Sequence, residues 1–94
     1  MNYEEKLKGI MDEFLAKENK TYTDLVSSED QYYKLMIEGP ILLAKIHHDD
    51  LGTSKDSFLA QFDQFKDKDD LFSRFSIKVC SEAYDLVDEY LKCN

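Results

Sequence analysis

The chain has little with which to build the reversals of a β-sheet: three glycines and one proline in 94 residues. Hairpins draw on such residues at nearly every turn, so an all-β fold is disfavoured and helices become the expectation. Tryptophan is absent, and Arg74 is the only arginine among twelve basic residues, which face twenty acidic ones. The formal charge of −8 leaves no surplus of Lys and Arg for phosphate. Direct binding to nucleic acid or to an anionic membrane is therefore not expected. The lysine-heavy basic set fits an AT-rich coding sequence, such as that of a low-GC bacterium or its phages. No apolar run approaches the ~18 residues of a membrane span. The charged stretch from Met1 to Lys8 has no apolar signal-peptide core behind it.

Two cysteines are too few for a disulfide framework. Cys80 and Cys93 are expected on one helix, where residues rising about 1.5 Å each hold them roughly 20 Å apart. A disulfide needs its Cα atoms within about 7 Å, so the two do not bridge within a chain. Cys80 is expected as a small core residue and Cys93 as a free thiol, in a reducing, cytoplasmic setting.

What the chain does have is apolar patterning. With 43% hydrophobic residues, including six Tyr and six Phe, it can bury one modest core and not two, so a single domain over residues 1–94 is expected. The clearest pattern lies in residues 71–92. At 100° per residue, Phe72, Phe75, Val79, Ala83, Leu86 and Tyr90 form one stripe, and Cys80, Tyr84, Val87 and Leu91 form a second beside it. Arg74, Lys78, Ser81, Glu82, Asp85, Asp88, Glu89 and Lys92 share the opposite side. A dry front this wide needs neighbours on two sides. It predicts an all-α fold, a compact bundle of four to five antiparallel helices.

The preceding segments supply those neighbours. Residues 3–19 read as a helix burying Tyr3, Leu7, Ile10 and Phe14, with Met11 and Leu15 beside them. The next helix has two possible starts, Thr21 with Asp24 or Ser28 with Gln31. The later one is preferred because it keeps Glu29 off the apolar side. Gly39-Pro40 should end or kink this helix, since proline has no N–H and crowds the preceding turn. Ile41, Leu42, Leu43, Ala44 and Ile46 point in nearly every direction and are expected in the middle of the core, before a capping Gly52. Thr53 or Ser54 should start another helix with Phe58, Leu59, Phe62 and Phe65 inward. A charged turn follows, in which Asp67 or Asp69 caps the last helix.

Clusters able to carry chemistry are few. His47, His48, Asp49 and Asp50 are adjacent, and adjacent helical residues diverge by about 100°, so a solvated helix end is expected and no metal site. Asp63, Asp67, Asp69 and Asp70 fail as a calcium loop, because Leu71 and Phe72 stand where an oxygen ligand and a glycine are needed. With no glycine-rich phosphate loop and no evident nucleophile–base pair, no catalytic residue and no cofactor is assigned, and the chain is expected not to be an enzyme. The acids instead suggest a contact surface. Glu82, Asp85, Asp88 and Glu89 lie toward the C-terminal end of the last helix, where the dipole disfavours negative charge. A row that works against helix stability, offset only in part by Lys78 and Lys92 at i, i+4 spacings, points to docking on a basic partner, together with Asp63, Asp67, Asp69 and Asp70.

The function expected is thus a small, acidic, non-catalytic protein-binding module acting on another protein with a basic surface. Inhibitors, immunity proteins, phage-encoded anti-defence proteins and nucleic-acid mimics share this size and charge. A homodimeric structural subunit is an alternative, because the last helix is wide enough to take a second chain's helix. One stretch carries a different resemblance. Asp50-Leu51-Gly52-Thr53-Ser54-Lys55-Asp56-Ser57-Phe58 is similar to the modification site of acyl and peptidyl carrier proteins, where Leu-Gly precedes Asp-Ser-Leu or Asp-Ser-Phe. The resemblance implies phosphopantetheine on Ser57. The spacing departs from that family's pattern, since Thr53, Ser54 and Lys55 all separate Gly52 from Asp56.

Overall fold

Asn2 opens the first helix. Its side-chain Oδ1 accepts from the backbone N–H groups of Glu4 (3.0 Å) and Glu5 (3.3 Å), pairing two donors that a helix start leaves free. The computed structural model describes residues 2–93, with side chains through Leu91. The expectations placed on the Lys92 and Cys93 side chains lie outside the described residues. Helix α1 spans Tyr3–Lys17. It ends earlier than expected because Asn19 turns left-handed (φ 58°), which lets the Lys20 N–H donate back to the Leu15 carbonyl at 2.9 Å. Tyr3, Leu7, Met11 and Leu15 are its buried stripe, and Ile10 and Phe14, expected at the centre, pack at its edge.

A 3₁₀ turn over Tyr22–Asp24 leads to helix α2, which starts at the later of the two expected caps. The Ser28 hydroxyl accepts from the Gln31 N–H at 3.1 Å, and Glu29 lies exposed in the first turn. The helix does not end at Gly39-Pro40, one of the two outcomes expected there, but passes from π to α hydrogen bonding at that point. From Glu29–Gln31 the helix passes through a π-helical stretch, Tyr32–Glu38, an α-helical stretch, Gly39–Lys45, and a second π stretch, Ile46–Asp50, without leaving right-handed helical backbone. The physical reason lies in the wide turn. The Gly39 N–H reaches back five residues to the Lys34 carbonyl, so the chain ahead of Pro40 is not wound as the tight α turn that a proline ring would clash with. Glycine at 39 also lacks the Cβ that would collide with the proline ring from a helical residue. Gly52 (φ 61°) ends the helix as expected, with the Thr53 N–H donating to the His47 carbonyl at 2.8 Å.

Ser54 caps helix α3, Lys55–Ala60, by accepting from the Ser57 N–H at 3.2 Å. The chain then tightens into a 3₁₀ turn, Asp63–Phe65, before helix α4, Leu71–Cys93. The cap of α4 is Asp70, not Asp67 or Asp69. Its carboxylate accepts from the Ser73 N–H (3.1 Å) and from the buried Ser73 hydroxyl (2.8 Å). These bonds hold the Asp70 carboxyl below the usual carboxylate range.

The described residues are all-α, 78% of them helical and none in a strand. Ring pairs give the directions. Tyr3 meets Tyr90 (centroids 4.7 Å apart) and Phe14 meets Phe75 (6.1 Å), so α1 opposes α4. Tyr32 meets Phe75 (6.1 Å) and His48 meets Asp88, so α2 runs along α4 in the same direction. Lys55 meets Asp85, and Phe65 meets Phe72, so the α3 segment returns against it. On α4, Phe75, Val79, Ala83 and Leu86 are buried, as are Cys80, Tyr84 and Val87 in the adjacent stripe.

The shortest dimension of the molecule is 20 Å, two helix diameters of about 10 Å. Of the run expected at the centre of the core, Ile41 and Ala44 are buried, but Leu42 is 61% and Ile46 39% exposed. Phe72, expected on the dry front of α4, is 44% exposed. Among the described residues no helix is long and apolar enough to cross a membrane.

Candidate functional site

Between the start of α4 and the middle of α2 the surface is open and apolar. Helix α3 is too short to cover this end of the α2–α4 pair, leaving a groove of about 320 Å³. Leu35, Met36, Pro40 and Leu43 of α2 form one wall and Phe72, Val79 and Cys80 of α4 the other. Phe62 and Phe65, from the α3–α4 connection, close the end. Phe65 stands edge-on to Phe72, centroids 6.1 Å apart at 72°, the arrangement aromatic rings prefer. Leu35 (62% exposed) and Phe72 rise at the margins. Burial pushes the Cys80 thiol up to about 11, so it is protonated at neutral pH. The lining is apolar apart from Ser76, whose hydroxyl donates to the Phe72 carbonyl at 2.8 Å.

The acidic turn expected as a contact surface runs along the end of this groove. Asp63, Asp67, Asp69 and Asp70 alternate in sequence with the groove residues Phe62, Phe65 and Phe72 and with two lysines. Asp63 pairs with Lys66 at 3.0 Å, and Asp70 is spent on the cap. Asp67 and Asp69 face solvent. Arg74 donates its Nε–H to the Asp69 backbone carbonyl at 3.0 Å and is engaged by Glu18 through its terminal nitrogen, which leaves the Asp69 carboxylate with a long 3.9 Å contact to that guanidinium.

The acidic row on α4 is arranged differently. Glu82 pairs with Lys78 at 2.8 Å, Asp85 with Lys55 of α3 at 2.9 Å, and Asp88 with the His48 Nε2 of α2 at 2.9 Å. Glu89 is exposed. Three of the four carboxylates proposed for docking thus tie α4 to this chain's own cations, two of them on other helices. That the row works against the helix dipole has a local explanation here, and of the eight carboxylates expected to dock, those of Asp67, Asp69 and Glu89 are the ones left facing solvent.

The helix end expected to be solvated is half-buried. The His47 ring packs on Phe58 (centroids 5.1 Å apart), and its buried Nδ1 has no hydrogen-bond partner among the described residues. His48 lies against Tyr84, between Asp88 and Asp49. The hydrogen bond to Asp88 is the largest cause holding the His48 imidazole above its ordinary value. Among the described residues no three of His, Cys, Asp and Glu are grouped as a metal site requires. Ser57 is exposed in the first turn of α3, where its hydroxyl accepts from that of Ser54 at 3.1 Å.

The groove itself escaped the sequence reading. The signal was present in Phe65 and Phe72 bracketing the acidic run, but an aromatic at helical spacing is ordinarily core, and nothing in the letters marks where α3 stops. No protein-family model, no curated protein and no solved structure matches the chain.

Proposed function

We propose that this chain is a non-catalytic protein-binding module that takes the apolar side of a cationic amphipathic segment into the groove between α2 and α4. The observation that carries this reading is the juxtaposition of an open apolar groove with the solvent-facing carboxylates of Asp67 and Asp69 in the turn that closes it. Burying Leu35, Phe65 and Phe72 against a partner supplies contact energy, at about 25 cal/mol per Å² of apolar surface. The carboxylates, within a net charge of −8, favour encounter with a basic surface and disfavour acidic competitors. Occupying a partner's basic surface needs no chemistry, which is the mode of an inhibitor or an immunity protein. The setting proposed is the reducing cytoplasm, where Cys80 stays a thiol.

An NMR titration of the isotope-labelled protein tests this, using a synthetic helical peptide with a leucine side and a lysine side, and its counterpart with glutamate for lysine. The lysine peptide is expected to shift resonances of Leu35, Phe65 and Phe72, to bind at least about tenfold more weakly at ~500 mM than at ~50 mM salt, and to lose binding on Phe72→Ser. Equal binding of the glutamate peptide, or shifts clustered away from the groove, would sink the reading.

A further inference from the structure

Helix α2 carries an apolar feature that the groove does not account for. Leu35, Gly39, Leu42 and Ile46 follow one another at intervals of four, three and four, Gly39 and Leu42 on the α-helical stretch and Leu35 and Ile46 on the wider π turns at either side of it, where a step of four comes close to one full turn. All four are exposed. Leu35 and Gly39 also border the groove, whereas Leu42 and Ile46 do not. Along one edge of the seam stand Glu38 and Lys45, one heptad apart and opposite in charge. Among the described residues Glu38 has no ion pair, and Lys45 lies 4.7 Å above the Tyr3 ring instead of beside a carboxylate.

We propose that this stripe is the seam of a symmetric dimer with a second copy of the chain, the two α2 helices crossing antiparallel. A two-fold axis placed between Gly39 and Leu42 sets Leu35 opposite Ile46 of the second copy and Gly39 opposite its Leu42. The missing side chain of Gly39 makes room for that leucine. In the same arrangement each Glu38 falls beside Lys45 of the second copy, so the two flanking charges satisfy each other twice. A parallel pairing would instead set Glu38 against the apolar Leu43. The seam therefore complements itself in one orientation only. It extends beyond the groove reading and does not rest on it, and it lies on α2 instead of the last helix.

Sedimentation across a concentration series is the test. The wild-type protein is expected to reach the mass of two chains. Leu42→Asp, which leaves the groove residues in place, is expected to raise the dimer dissociation constant by at least about tenfold, with unchanged helical circular dichroism. Glu38→Lys weakens the dimer, and adding Lys45→Glu to it restores association. A wild-type protein that remains one chain at about 1 mM, a dimer indifferent to Leu42→Asp, or a double charge reversal no better than the single one, overturns the proposal.

Discussion

Helices α2 and α4 are of similar length, lie side by side and run the same way, yet they treat apolar residues differently. In α4 a polar residue recurs every three or four positions, so the sequence itself designates an outer side, and Phe75, Val79, Ala83 and Val87 turn inward. In the stretch Gly39–Lys45 of α2 the only charged residue is Lys45. That stretch has no polar side to offer water, and its neighbours cover only part of it. Ile41 and Ala44 are covered; Leu42 is not. Apolar content alone thus fails to predict burial. Where it exceeds what one layer of neighbours can cover, the excess becomes contact surface.

The sharpest way to break this comparison is to truncate one apolar residue on each helix. Phe75→Ala removes a fully buried ring that touches Phe14 and Tyr32 and is expected to cost about 3–5 kcal/mol. Leu42→Ser, measured by urea unfolding at low protein concentration, should stay within about 0.5 kcal/mol. Similar losses at the two positions would mean that α2 is covered as α4 is.

A smaller effect separates the irregular helix from the regular one. Glycine to alanine inside a helix ordinarily stabilises by about 0.5–1 kcal/mol. At Gly39 the sign is expected to reverse, because the new Cβ meets the Pro40 ring. In a Pro40→Ala background the same change should stabilise again, and a double-mutant cycle in urea gives the coupling. If Gly39→Ala stabilises the protein with Pro40 present, the account of the π stretch given above is wrong.

The smallest effect is a pH dependence at the far end of the same two helices. The folded-state pKa of His48 is raised, first by its hydrogen bond to Asp88 and against an opposing desolvation. Its stabilisation is fully present below the unfolded value near 6.5 and is lost as pH rises through the higher folded value. Melting temperature should therefore fall as pH rises from the unfolded value through the higher folded one, and His48→Gln should flatten that slope. An identical slope in the variant would remove His48 as its source.

Much of this architecture was legible in the letters. The stripes of α4, the caps at Ser28 and Ser54 and the left-handed Gly52 all follow from residues acting on their own turn, where spacing and chemistry suffice. Legibility failed where distant residues decide. His48 and Asp88 are forty positions apart, Lys55 and Asp85 thirty, so the row of acids on α4 read as offset only in part by lysines of its own helix until the fold brought these two cations across. The passage through Gly39-Pro40 was hidden for another reason. Proline rules describe an α turn, and the wider turn before it obeys different sterics. Of the acidic turn, the sequence showed the carboxylates but not which of them the helix cap consumes.

Cys80 turns the groove wall into a clock. Its thiol is protonated at neutral pH and only 5% exposed in the groove wall, so an alkylating reagent that enters the groove reaches the sulfur fully only during local openings of that wall. The rate at which that sulfur is modified, read by peptide mapping, counts those openings directly, and an occupant of the groove would slow the count.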